Sequence, residues 1–106
     1  MSQTMVRYTV KPEQAAHNEE LARRVYEELR RIAPDGLRYA TFVLEDGVSF
    51  VHIASVETAD GANPLREIAA FRAFQENIGA RCDAPPAPVG LREVGSYRFG
   101  AAETDA

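Results

Sequence analysis

The sequence predicts an α+β fold of the ferredoxin-like kind, with element order βαββαβ, a four-stranded antiparallel sheet and two helices on one face. Three observations predict it. Each of two stretches with helical periodicity lies between stretches with the period of a strand. The two central β-rich stretches are joined by Asp46-Gly47, a pair suited to the positive φ angles of a tight hairpin turn. The third strand is apolar on both of its sides.

The first strand is read at residues 5–10, where Val6, Tyr8 and Val10 alternate with Arg7 and Thr9. A helix begins near Glu13, after Pro12, and Leu21, Val25, Leu29 and Ile32 form its inward stripe. On its other faces Glu19 and Arg23, Glu20 and Arg24, and Glu27 and Arg31 stand four apart with the acid first, a solvated surface. Pro34-Asp35-Gly36 ends this helix, because proline cannot continue it and glycine supplies turn geometry. Residues 37–44 and 48–56 are the second and third strands. Residues 58–63 form a loop, and Asn63-Pro64 opens a second helix, with an N-cap side chain followed by proline at the first helical position. That helix is expected to reach about Arg81, with a break near Ala69-Ala70 because Leu65, Ile68, Phe71, Phe74 and Ile78 cover so broad a face. Pro85, Pro86 and Pro88 predict an extended connection over residues 82–90, which leaves residues 91–99 as the fourth strand. Residues 1–99 are then a single domain, and residues 100–106, small and acidic, a disordered tail.

In the third strand Val48, Phe50, Ala54 and Val56 point one way while Val51 and Ile53 point the other. Tyr39 and Val43 in the second strand oppose Ala40, Phe42 and Leu44 in the same manner. Two helices cover only one face of such a sheet, so a second copy of the chain is expected on the other, giving a homodimer through sheet faces.

Composition narrows the function classes. A formal net charge of −4 gives no general attraction to nucleic acid or anionic lipid, and no stretch has the roughly 18 apolar residues of a membrane span. The first residues lack a basic leader and apolar run, so a cytoplasmic protein is expected. The one cysteine, Cys82, allows neither an intrachain disulfide nor a multi-cysteine metal site, and at a helix end the dipole disfavours its thiolate. Eleven arginines against one lysine would suit carboxylate or phosphate recognition, but most of them lie beside glutamates on helix faces.

Among residues able to carry chemistry, His52 is the best catalytic candidate, because it lies mid-strand between Phe50 and Ala54 and imidazole titrates near neutrality. A hydrogen-bonded core histidine is the competing reading. His17 sits at the edge of the first helix's stripe and makes no chelating pair with His52, so no metal site is expected. Tyr8, Tyr39 and Tyr97 are read on strands, where a phenol presents an apolar ring and a polar tip to a bound aromatic molecule; tyrosine is also favoured in strands, so packing is the stronger reading. Arg7 needs an acidic partner, such as Glu93, or a bound carboxylate. Ser49, Ser55 and Ser96 have no glycine-flanked elbow, and no glycine-rich phosphate loop occurs, so hydrolase and nucleotide-binding readings are poor.

The element order, the doubly apolar third strand and the run Phe71-Arg72-Ala73-Phe74 in the second helix make residues 5–99 resemble the dimeric α+β barrel superfamily. That superfamily includes the antibiotic biosynthesis monooxygenase type and heme-degrading relatives. The resemblance implies a cofactor-independent monooxygenase-like protein acting on an apolar or aromatic small molecule between sheet and helices, with Tyr8, His52, Phe71 and Phe74 against the ligand. The heme-degrading relatives use an asparagine, tryptophan and histidine set, and this sequence has no tryptophan. Ala70 stands before Phe71, where monooxygenase-like members often carry a histidine. The alternative is a non-catalytic dimeric module that binds a small molecule or stabilises a partner.

Overall fold

The computed structural model describes residues 2–99. Strand β1 (Ser2–Val10) leads through a 3-10 turn at Pro12–Gln14 into helix α1 (Ala15–Ile32), followed by β2 (Leu37–Val43) and β3 (Ser49–Val56). A second 3-10 turn at Pro64–Glu67 precedes two short helices, α2 (Ala69–Gln75) and α3 (Ile78–Arg81), and β4 (Cys82–Leu91) closes the order. All pairings are antiparallel, in the order β2-β3-β1-β4. This is the ferredoxin-like arrangement that the sequence predicts. The tail assigned to residues 100–106 lies outside the described residues.

Tyr8, Val10 and Phe50 of the sheet, Ala22 and Val25 of α1, and Leu65, Ile68 and Phe74 of the second helical segment form the core. The Tyr8 and Phe50 rings stack at 5.6 Å between centroids. Cross-strand partners share a face, so the pairs Tyr8 with Phe50, Val6 with His52 and Tyr39 with Ala54 place these six residues on the helix side of the sheet. The opposite face carries Met5, Phe42, Val51, Ile53, Val89 and Leu91, none of them buried.

Local chemistry explains most boundaries. Asp46 accepts hydrogen bonds from the backbone N–H groups of Val48 (3.0 Å) and Ser49 (2.8 Å) and from the Ser49 hydroxyl (2.6 Å), which fixes the hairpin and holds its carboxyl below the usual range. Gly47 in that turn has φ of 75°. Gly36 has φ of 78°, and a Cβ there would stand 2.8 Å from the Thr58 methyl group. The stop after α1 is assisted by Ala33, itself left-handed at φ 50°. Glu19 pairs with Arg23 and Glu20 with Arg24, but Arg31 reaches Glu28 (3.7 Å) rather than Glu27.

Two expectations are corrected. The second helical segment breaks at Ile68, whose backbone is extended, beside the break expected near Ala69-Ala70, but it does not then run unbroken to Arg81: Asn77 takes a left-handed φ of 63° and interrupts it again. No single straight helix turns Leu65, Ile68, Phe74 and Ile78 all inward, and the breaks re-aim successive turns. The fourth strand occupies Cys82–Leu91 and not residues 91–99. Its prolines cost little because β4 is an edge strand, with one side free of ladder bonds. Pro85 and Pro86 fall where the register jumps, Arg7 pairing with Ala87 and Thr9 with Ala84, so they ride in an irregularity opposite Tyr8. Val94, Tyr97 and Phe99, read as members of that strand, are instead 91%, 80% and 64% exposed.

Candidate functional site

Between the helix side of the sheet and the segment from Gly61 to Ile78 lies a cleft of about 810 Å³. Its lining includes Tyr8, Tyr39, His52, Phe71 and Phe74. Each comes from a different local rule. Tyr8 and His52 face inward because alternation along β1 and β3 puts them beside Val10 and Phe50. Phe71 and Phe74 share one side of α2 because they stand three apart. Tyr39, on β2, meets Phe71 edge-on at 6.2 Å and stacks on Tyr26 of α1 at 5.4 Å.

His52 is the polar centre of the cleft. Its Nε2 shares a hydrogen bond with the Tyr8 hydroxyl (2.7 Å), and its Nδ1 meets the hydroxyls of Tyr39 (2.6 Å) and Thr41 (3.1 Å). The chain of contacts continues at both ends. Thr41 bonds the Tyr26 hydroxyl (2.6 Å), while the Asn18 amide donates to Tyr8 (2.9 Å) and accepts from Arg81 Nε (3.1 Å). Burial pushes His52 down to about 4, so the imidazole is neutral at pH 7. Burial likewise drives the Tyr8 and Tyr39 phenols well above their usual value and Tyr26 up to about 12. At physiological pH the site is therefore a set of uncharged hydroxyls and one uncharged imidazole in an aromatic surround. Such a set orients and polarises a ligand oxygen; a histidine with so low a pKa is a weak base.

The other candidates lie elsewhere. His17 is exposed and lines a shallower depression of about 460 Å³ between α1 and α3. Tyr97 lies outside the sheet, beneath the Arg98 guanidinium at 5.0 Å. Arg7 is exposed on the outer sheet face, and Glu93 accepts a hydrogen bond from Ser96. Cys82 is the first residue of β4, and burial raises its thiol pKa. Among the described residues no cluster of three or more His, Cys, Asp or Glu could hold a metal ion, and no helix is long and apolar enough to cross a membrane.

Asn18, Thr41, Tyr26 and Arg81 were not among the candidates read from the sequence. Asn18 had a local signal, since it continues the apolar stripe of α1 three residues before Leu21 and is fully buried. Arg81 had none, because its partner Asn18 is 63 residues away in the chain.

No protein-family model matches the sequence, and no curated protein matches it. Solved structures do. A protein of Nitrosomonas europaea provisionally named an antibiotic biosynthesis monooxygenase superposes with a TM-score of 0.71 at 19% identity, over 90% of this chain and 100% of that one. One of the same provisional name from Caulobacter crescentus gives 0.65 at 19% identity, over 89% and 90%. A Nitrosomonas europaea protein of unknown function gives 0.70 at 14% identity, over 91% of each chain. The chain thus has the ferredoxin-like α+β fold found in structures named for antibiotic biosynthesis monooxygenases.

Proposed function

We propose that the chain is a monooxygenase-like protein whose cleft takes a flat apolar or aromatic small molecule and presents its polar substituent to His52 and Tyr39. The observation that carries this reading is the convergence of buried polar groups on one aromatic-walled cleft of about 810 Å³. An interior packed solid around Phe50, Phe71 and Phe74 would have argued against it. Phe50 and Phe74 are indeed packed, at 1% and 3% exposure, but Phe71 is only partly buried and lines the cleft. In oxygenation without a cofactor the electrons that reduce oxygen come from the substrate, so quinol-type and flavonoid-type compounds are the class to test. Oxygen uptake with such compounds, reduced at least about tenfold in His52→Ala and Tyr39→Phe, is the expected result. Uptake unchanged in both variants would remove these residues from the reaction.

The second reading, a binding module without chemistry, is favoured by one observation: His52 is buried and both of its ring nitrogens are already hydrogen-bonded to side chains of the fold. Saturable ligand binding with no oxygen uptake would decide for it. On either reading we propose a homodimer, with the outer face of the sheet, bearing Met5, Phe42, Val51 and Ile53, meeting its copy. Native mass spectrometry of freshly purified protein reports that state together with any small molecule carried along.

A further inference from the structure

We infer that Arg81 and Asn18 are positioning residues that set the direction of the hydrogen-bond chain, holding His52 as its Nδ1–H tautomer and leaving the Tyr39 proton free for the cleft. The inference rests on the cleft reading above and adds to it two residues outside the cleft's polar centre.

At one end of the chain the donor and acceptor roles are fixed. A guanidinium only donates, so the Asn18 atom that meets Arg81 Nε at 3.1 Å is its carbonyl oxygen. The other end of that amide, Nδ2, then only donates, and it points at the Tyr8 oxygen at 2.9 Å. The Tyr8 oxygen has its two partners in Asn18 and His52, and Tyr8 is 2% exposed. Its own proton therefore goes to His52 Nε2 at 2.7 Å, or stays unpaired in a buried place. A neutral imidazole has one N–H, so accepting at Nε2 puts that hydrogen on Nδ1. Nδ1–H donates to the Tyr39 oxygen at 2.6 Å, with Thr41 Oγ1 at 3.1 Å as second acceptor. The Tyr39 proton is then spent on nothing at His52. It can turn to Thr41 or to a ligand oxygen, and the cleft offers a donor.

Arg81 is built for this duty. It is buried, and its three donor directions end on neutral oxygens: Asn18 Oδ1, the Phe74 carbonyl at 2.7 Å and the Glu76 carbonyl at 3.1 Å. The Phe74 ring lies 5.2 Å from its guanidinium carbon. Besides satisfying these carbonyls at the end of α2, the guanidinium gives Asn18 a partner that can only donate.

The test is long-range ¹H–¹⁵N correlation NMR of His52 in the ligand-free full chain. The wild type is expected to show Nδ1–H over Nε2–H by roughly tenfold or more. In Asn18→Asp a carboxylate accepts from Arg81 and also from the Tyr8 hydroxyl, so Tyr8 turns its proton away and His52 is expected to switch to Nε2–H. Arg81→Lys keeps a group that only donates and should keep the wild-type tautomer; Arg81→Met frees the amide to flip and should give a mixture. A wild type that is Nε2–H overturns the inference whatever the variants do, including any that fail to fold. An Asn18→Asp protein that stays Nδ1–H overturns the role of Asn18. Because no substrate enters the measurement, absence of oxygen uptake counts against the proposed function alone.

Discussion

Keeping an imidazole uncharged beneath aromatic rings makes stability depend on pH through one side chain. In the unfolded chain His52 takes up a proton near pH 6.5, whereas in the folded protein it does so at about 4. Between these values the unfolded state binds more protons, so the folded state loses stability as pH falls from 6.5 and the loss is complete near 4. The difference corresponds to at most about 3 kcal/mol. Urea unfolding at a series of pH values should show this acid-side loss in the wild type and not in His52→Gln; parallel curves would contradict the burial of the ring. At this scale the sequence exposed part of the site. A histidine between Phe50 and Ala54 on a two-sided strand was readable, because alternation assigns it a face. Its partners were not, since Tyr8, Tyr39 and Thr41 become neighbours only once strand register is set.

Among elements, α2 forms the aromatic wall of the cleft, and its start is held from outside the segment. The Glu28 carboxylate on α1 accepts from the backbone N–H groups of Ala70 (2.8 Å) and Ala69 (3.3 Å), serving as N-cap across the helix pair. Glu28→Ala should lose about 1 kcal/mol in chemical denaturation, and Glu28→Gln, which keeps one acceptor, less. At the entrance to β2, Gly36→Ala should lose about 1–3 kcal/mol, because a positive φ and the contact with Thr58 act together. A thermal melt unchanged in Gly36→Ala would mean that the turn relaxes freely. The hairpin and Gly36 were legible because their chemistry is local. The fourth strand was not: three prolines within four residues argue for a connection unless the edge position of the strand is known, and edge position belongs to the sheet as a whole.

For the whole molecule the division of labour between the two faces of the sheet is the main consequence. One face holds the core and the cleft, and the other carries an apolar patch that, among the described residues, no helix covers. If that patch meets its copy, Ile53→Arg should shift the native mass from dimer to monomer while leaving the His52 network, on the reverse side, in place. A monomer in the wild type would count against the pairing. The same reverse-side arrangement has an optical side to it. With no tryptophan in the chain to drain excitation energy, tyrosine emission is what the protein emits. Tyr39 stands at the cleft, stacked on Tyr26, so an aromatic occupant absorbing in the near ultraviolet would quench that emission directly, and the protein carries its own unlabelled gauge of occupancy.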